Sequence, residues 1–500
     1  MQVCLIIPPQ QNNVTGLPSL DIAYMASALE QHGHQVRISD WTVGSDLPLD
    51  KKIAQICRSH PDIIGLTAAT HSYFATQQII TQFRERVQCP IILAGSHATA
   101  LPRQSLLENP ELDFVIRGKG EEAIVNLLAA LEREDINLEK VPGLLFRRGA
   151  EIVENSDQDP TPPNTFFPAF HLFELERYAL KGLNGSLILP LLLSRKDGMR
   201  HGEWRQRQVD SVIEELNYNR TQYNVHAAWF ISHPFTATDP WVEQLTETII
   251  DRDLNVQWRC QADVMDVTPR FLGQMRQAGC RKVDYFFQFA GTSLDDAPLN
   301  KLHSNVSWTA KLDIKSKGHF EIGRPDDNED KIQAIIEFVS TLELDEIEIL
   351  YYYPRPGSPE WPLVQERYMA TGRTASIYQT FYKNDLSHNA GPSWLNVSDI
   401  PHARLVTLVR EGQWIISEAK RRKKYELHFG QSLGTLIWRL SQRHWMRSIG
   451  RRIIDLGVLR TLRTAGENGR GNSTPLTANS TQSKTKVKTL NNPKASRISR

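Results

Sequence analysis

The chain has 500 residues, 40% of them hydrophobic and 23% charged, the balance of a globular protein of roughly two to four domains, which excludes wholesale disorder. Its longest apolar stretch, Leu187–Leu193, falls far short of the roughly 18 residues needed to cross a bilayer. A formal net charge of +1 conceals a division: 19 Lys and Arg against 3 Asp and Glu from Lys420 onward, and 39 against 54 before it, so an acidic body carries a basic C-terminal segment. Five scattered cysteines (Cys4, Cys57, Cys89, Cys260 and Cys280) argue against a disulfide framework and suit a reducing cytosol. The first nine residues lack a basic region and a small-residue cleavage site, so no secretory signal is expected.

In chain order, Val3–Ile7 reads as a buried strand, Leu20–Gln31 as a helix stopped at Gly33, Gln35–Ser39 as a strand and Lys51–Ser59 as a helix. Ile63–Leu66 and Pro90–Ala94 are strands around the helix Tyr73–Val87, and Phe114–Ile116 is a strand before the helix Glu121–Arg133. Repeated strand–helix units predict a parallel sheet with ligands bound beyond its carboxyl ends, at the loops Pro8–Pro18, Thr67–Tyr73, Gly95–Thr99 and Gly118–Glu121. Residues 136–185, with the Pro-rich stretch Asn155–Pro168, read as a linker. A second series follows, with strands at Ser186–Leu193, His226–Ile231, Val256–Cys260, Val283–Phe289, Lys317–Gly323 and Glu346–Tyr353, and helices at Gln208–Asn219, Asp239–Asp251 and Pro269–Ala278. About six such units make an incomplete barrel. Residues 366–465 turn helical and basic, and 466–500 read as a disordered basic tail.

Three sets of residues carry a family resemblance. Gly95-Ser96-His97-Ala98-Thr99 resembles a GGPHAT loop, and Val115-Ile116-Arg117-Gly118-Lys119-Gly120-Glu121 resembles V-x-G-E-G-E. Ser194-Arg195 followed by Arg207 to Leu216 resembles SRGC…R-x-V-x-x-V-x-E-E-L. In this order they resemble the cobalamin-binding radical S-adenosylmethionine family, closest to the group of the anaerobic magnesium-protoporphyrin monomethyl ester cyclase, over residues 1–365. The resemblance implies a doubly wound, Rossmann-like cobalamin-binding domain over 1–135, the linker, and a partial (β/α)6 TIM-like barrel over 186–365. It implies a corrinoid lying against Thr67, Ala68, Gly95, Ser96, His97, Gly118, Gly120 and Glu121, where small residues leave room for a flat macrocycle. Without a DxHxxG motif, His97 is not expected to ligate cobalt from below.

The resemblance fails at the chemistry. The family's CxxxCxxC, which holds a 4Fe–4S cluster and leaves one iron for S-adenosylmethionine, is here Asp197, His201 and Trp204. An F-x-D-D-x-F strand end reads Phe230-Ile231-Ser232-His233-Pro234-Phe235, and a GVESG strand reads Phe287-Gln288-Phe289-Ala290-Gly291. Scaffold segments such as Gln277-Ala278-Gly279-Cys280 and Tyr353-Pro354-Arg355-Pro356-Gly357 persist. Asp197, His201 and Glu203 could offer oxygen and nitrogen to another metal, but flanking Lys196 and Arg200 oppose a cation, and Cys260 and Cys280 read as small buried apolar residues. No cluster and no cleavage of S-adenosylmethionine are expected.

Residues 420–463 combine Lys420-Arg421-Arg422-Lys423-Lys424 with a periodic apolar pattern holding Trp438, Trp445 and Ile449. This suits an anionic membrane surface or a partner protein, and a helix folded onto the acidic body is equally compatible. No specific nucleic-acid contact is expected, since no reading module is present. Two functions stay open: a corrinoid- or tetrapyrrole-binding pseudoenzyme or accessory subunit, and an enzyme keeping methyl-transfer or tetrapyrrole or lipid chemistry on cobalamin with no cluster or with unusual cluster ligands. The expected station is cytoplasmic, with peripheral contact at the inner membrane face.

Overall fold

A computed structural model describes residues 1–10, 16–43, 47–133, 137–157, 166–178, 187–196, 204–287, 296–372, 376–383 and 391–441. The chain divides into a compact unit, Met1–Lys420, and a second unit, Arg421–Arg500.

The first sheet runs β1 (Gln2–Ile7), β2 (Gln35–Asp40), β3 (Ile63–Thr67), β4 (Ile91–Ala94), β5 (Phe114–Ile116), β6 (Leu144–Arg148) and β7 (Glu151–Glu154), in the spatial order β2-β1-β3-β4-β5-β6-β7. β1 to β5 are parallel, and helices cover both faces: α1 (Leu20–Gln31), α2 (Leu49–Cys57), α3 (Tyr73–Arg84), the short α4 (Ser96–Ala100), α5 (Pro102–Glu108) and α6 (Gly120–Leu131). Strand alternation divides the core. Val3, Leu5 and Ile7 pack with α1 and α6, while Cys4 and Ile6 pack with Ile53, Ile79 and Phe83 of α2 and α3. Burial on both faces explains why β1 is apolar from Val3 to Ile7 rather than alternating.

Two expectations fail here. Residues 136–185 do not serve only as a linker, because β6 and β7 form an antiparallel hairpin that extends the sheet beyond β5. The segment after Gly95 is not simply a loop, because Ser96–Ala100 closes one helical turn.

The second sheet is all parallel and six-stranded, in the order β8 (Ile188–Leu192), β11 (Ala227–Ile231), β12 (Gln257–Ala262), β13 (Cys280–Phe287), β14 (Lys315–Ile322) and β15 (Glu346–Tyr351). Helices α7 (Val209–Tyr223), α8 (Pro240–Asp251), α9 (Pro269–Gln277), α10 (Asp296–Lys311) and α11 (Glu329–Thr341) connect its strands. They bury Trp258, Cys260, Ala262, Val283, Tyr285 and Phe320 on one face. A two-stranded hairpin, β9 (Ser194–Lys196) with β10 (Trp204–Gln206), follows β8 directly. It was not legible as strand pairing, since each arm is three residues long and polar.

Beyond β15, α12 (Trp361–Ala370) and α13 (Ile377–Lys383) return to the first domain, where Trp361, Val364, Tyr378 and Phe381 join its α3-side core. Helix α14 (His402–Phe429) lays Leu405, Leu408, Val409 and Ile416 on the barrel core, and α15 (Gln431–Ser441) follows. Among the described residues no helix is long and apolar enough to cross a membrane.

Candidate functional site

The carboxyl edge of the first sheet is built by close backbone packing. Ala68 donates its N–H to Ala94 O at 2.9 Å, and His97 donates its own to Ala68 O at 3.0 Å. Gly95, at φ +101°, sits where any Cβ would come 2.6 Å from Thr67 Oγ1 and 2.7 Å from Ala68 O. That glycine is required by the packing of two strand ends rather than by an open ligand face. Gly120 is similar, since a Cβ there would meet Met25 Sδ at 2.1 Å in the α1–α6 contact. Gly118 differs: its φ is +82° and no atom lies within 4 Å of a Cβ built on it. Its N–H donates to Thr99 Oγ1 at 3.0 Å. On this edge Thr67 is half-buried and Ser96 and Gly118 are exposed, all three with small side chains or none.

His97 is 1% exposed, its ring stacked on Tyr73 at 3.7 Å and edge-on to Tyr378 of α13 at 4.9 Å. Thr70 Oγ1 is 3.3 Å from its Nδ1, while Nε2 has no hydrogen-bond partner. Burial pushes its pKa down to about 3, so the ring is neutral. Enclosed by two tyrosine rings, it packs inside the domain. Glu121 is also buried and serves the domain junction: its Oε1 accepts from Arg195 Nη2 of β9 at 2.5 Å.

A second pair is buried completely. Arg207 Nη1 donates to Glu215 Oε2 at 2.5 Å with both side chains at 0% exposure. Arg207 also donates to Leu192 O at 3.0 Å and Ser211 Oγ at 2.8 Å, and Tyr24 Oη of α1 lies 3.4 Å from Glu215 Oε2. Burial raises the carboxyl pKa of Glu215, and Arg207 acts against that rise. The Arg and Glu of the R-x-V-x-x-V-x-E-E-L segment therefore pair inside the barrel and touch the first domain through the Tyr24 hydroxyl.

At the mouth of the barrel, two of the positions that differ from the resembled pattern, Trp204 and His233, meet one another. Asp197 and His201 lie outside the described residues. Trp204 is on β10, 45% exposed, with its indole 5.7 Å from the His233 ring. His233 Nε2 is 2.8 Å from Asp239 Oδ2, and its Nδ1 is 3.1 Å from Ser194 Oγ. Asp239 caps α8 through Oδ1, which accepts from Trp241 N at 3.0 Å, and Gln206 Nε2 donates to Oδ2 at 2.7 Å. The Ser–His–Asp order resembles a nucleophilic relay. However, Ser194 is only 2% exposed, and its Oγ already accepts the His233 backbone N–H at 3.0 Å, so it braces the hairpin.

The sheet face opposite the helices is charged where such barrels are ordinarily filled with aliphatic side chains. Arg259 pairs with Asp284 and lies 3.9 Å over the Trp229 ring. Lys282 pairs with Glu346 at 2.8 Å, Lys317 with Glu348 at 2.7 Å, and Phe286 stacks on His319 at 4.4 Å. Cys260 and Cys280 are both fully buried on the helix side. They lie nearer each other than their separate strand–helix units suggested: burial, and next a hydrogen bond with Cys280, raise the Cys260 pKa well above the ordinary thiol value. Among the described residues no group of three His, Cys, Asp or Glu could hold a metal ion.

Sequence reasoning missed the Glu121–Arg195 and Arg207–Glu215 pairs and the Tyr378 cover on His97. The available signal was Arg207 just before α7 and Glu215 within it, eight residues apart.

Residues 15–128 match the family described as B12 binding domain. An uncharacterized methyltransferase of Pyrococcus horikoshii is 24% identical over 393 residues, covering 72% of this chain and 82% of that protein. The anaerobic magnesium-protoporphyrin IX monomethyl ester cyclase of Cereibacter sphaeroides is 34% identical over 370 residues, covering 68% of this chain, and this chain spans 59% of the cyclase's length. The radical S-adenosylmethionine methyltransferase TsrM of Kitasatospora setae, solved with cobalamin and a [4Fe-4S] cluster bound, superposes with a TM-score of 0.60 at 15% identity, over 75% of this chain and 76% of that one. The chain thus carries a B12 binding domain, has the fold of a cobalamin-binding radical S-adenosylmethionine enzyme, and resembles the anaerobic cyclase group.

Proposed function

We propose that this protein binds a corrinoid or related tetrapyrrole on the carboxyl edge of its first sheet and acts as a cluster-free accessory subunit or pseudoenzyme. The observation that carries this reading is Trp204. The position of the third cluster cysteine holds an indole resting against His233, whose two ring nitrogens are engaged by Ser194 and Asp239. No cysteine lies between Ser194 and Arg207. The two barrel thiols are buried on the other face of the sheet, and no thiolate is supplied where three are needed. Thr67, Ser96 and Gly118 would lie against the macrocycle, with Ala68, Gly95, His97 and Gly120 shaping the edge from beneath and Glu121 fixing the junction. Bound cobalamin would supply a cobalt centre able to carry a methyl group. Five free thiols suit a reducing, cytoplasmic station.

The test is iron and cobalt analysis of protein purified and reconstituted without oxygen, with absorbance titration by hydroxocobalamin. The expected outcome is a saturable cobalamin spectrum, iron well below one per chain, and no 5′-deoxyadenosine from S-adenosylmethionine. About four irons per chain with that product would overturn the cluster-free reading. Absence of any spectral change or binding heat with every cobalamin form would overturn the corrinoid reading.

The match over 82% of a methyltransferase favours a second reading, methyl transfer on cobalamin without the cluster. Loss of the methyl group from protein-bound methylcobalamin to an added nucleophile acceptor distinguishes it, since a pure binding protein leaves that bond intact.

A further inference from the structure

The second unit presents a surface that corrinoid binding leaves unused. Helix α14 ends at Gly430, at φ +79°, and α15 turns back from it. The two helices cross closely at Gly434, which is buried and where a Cβ would come 2.5 Å from Glu426 N. Thr435 Oγ1 donates to Glu426 Oε1 at 2.6 Å, Arg422 Nε donates to the same oxygen at 2.7 Å, and the Arg422 guanidinium lies 5.7 Å from the Trp438 ring. Residues 422, 426, 434, 435 and 438 thus form the inner side of the hairpin. Trp438, grouped by its spacing with Trp445 and Ile449 on one helical stripe, faces Arg422. Trp445 and Ile449 lie outside the described residues.

Fixing that inner side turns the other side of α15 outward. Leu433 and Leu436 are each 52% exposed and Leu440 is 37% exposed, at spacings of three and four that align them on one helical stripe. Leu427 on α14 is 78% exposed. Besides Arg422 on the inner side, residues 421–441 carry four basic side chains, Arg421, Lys423, Lys424 and Arg439, against one acid, Glu426. That acid is spent inside the hairpin: its hydrogen bonds from Thr435 and then Arg422 lower its pKa and keep it ionised. The outward surface is therefore an apolar ridge with a cationic rim.

We propose that this hairpin docks on the surface of an anionic lipid bilayer, the leucine ridge entering the headgroup layer and the basic rim facing lipid phosphates. The occupant follows from the combination. A second copy would bring the same cationic rim and be repelled. A nucleic acid would use the charge but has no place for three protruding leucines. A bilayer with acidic headgroups satisfies both parts at once, and the ridge is too short to span it.

The test is co-sedimentation of the full-length protein with vesicles of phosphatidylcholine alone or mixed with phosphatidylglycerol, over a range of salt. Wild-type protein should pellet with the mixed vesicles only, and less as salt rises. Leu433→Glu with Leu436→Glu, at exposed positions, should leave the melting temperature unchanged and reduce the bound fraction at least about tenfold. Lys424→Gln with Arg439→Gln should reduce it several-fold. As an independent readout, the emission of a dansyl-labelled lipid should rise through energy transfer from tryptophan when wild-type protein is added, and not with the double glutamate variant. Equal pelleting with both vesicle types overturns the proposal, as does pelleting that survives the leucine changes. So does concentration-dependent self-association, or retention on immobilised DNA, that those changes abolish while vesicle binding is absent. None of these outcomes depends on whether cobalamin binds.

Discussion

Removing Arg207 separates a structural pair from a decorative salt bridge. In Arg207→Met, Glu215 keeps a fully buried carboxyl and loses a 2.5 Å charge-assisted donor, retaining only the 3.4 Å contact with Tyr24. Leu192 O and Ser211 Oγ lose donors at 3.0 and 2.8 Å in the same step. Breaking a buried pair from one side costs about 3–5 kcal/mol, because the surviving charge is left in a medium that does not solvate it. Replacing both partners by Met and Leu should cost far less, within about 1–2 kcal/mol of wild type, since the desolvation penalty of the pair vanishes with the pair. The pH dependence has a definite sign. Burial already raises the Glu215 pKa, and without Arg207 only the hydrogen bond from Tyr24 opposes it. A carboxyl whose folded pKa exceeds its unfolded value of about 4.3 binds the proton more tightly in the folded state. Its contribution is present at low pH and lost as pH rises through the folded pKa, by up to about 1.4 kcal/mol per pH unit. Arg207→Met should therefore be less damaged at pH 5 than at pH 8. The assay is urea unfolding of full-length wild type, both single variants and the double variant, followed by tryptophan fluorescence at each pH. A single variant within about 1 kcal/mol of wild type would refute the reasoning, as would a double variant as unstable as the single.

Other outcomes follow from the corrinoid edge and the thiols. Gly95→Ala should be strongly destabilising, because its Cβ would strike Thr67 Oγ1 and Ala68 O and the φ of +101° is itself unfavourable. Gly118→Ala, in open space, should cost only about 1–2 kcal/mol, so paired thermal melts should rank them clearly. His97 is neutral in the fold with a pKa of about 3 against about 6.5 unfolded, so stability should decline as pH falls from about 6.5 toward 3; His97→Phe should flatten that part of the pH–stability curve, and an unchanged slope would contradict it. Cys4, Cys260 and Cys280 are buried while Cys57 and Cys89 are partly accessible, so an aromatic disulfide reagent should modify at most two thiols quickly in the native protein and all five in denaturant.

Much of this molecule could be read from local pattern. The helix Leu20–Gln31 and the strand Phe114–Ile116 fall where the spacing put them, and the six strands of the second sheet follow in the expected order. Buried parallel strands and amphipathic helices announce themselves through periodicity, which is a property of neighbours in sequence. That Asp197, His201 and Trp204 stand between Ser194 and Arg207, with no cysteine among them, is likewise read directly from the sequence. The β6–β7 and β9–β10 hairpins escaped, since short polar arms carry no such period and pair only because a sheet edge or a preceding strand is already in place.

Which residues touch was a different matter. From the sequence, Gly95 and Gly118 look alike; only the fold shows one jammed against Thr67 and the other open. Glu121 belonged to a ligand loop by its motif, and Arg195, 74 residues away, claims it for the domain junction. His233 and Trp204, 29 residues apart in sequence, meet only at the barrel mouth, and Gly434 lets two helices close so that Trp438 faces Arg422. The sequence by itself determined most of the elements and the domain type, because these depend on residue identity and short-range spacing. The tertiary structure alone decided which small residues are spaces and which are contacts, and which charges are partners, because burial and distance between residues far apart in the chain exist only once the two sheets have packed.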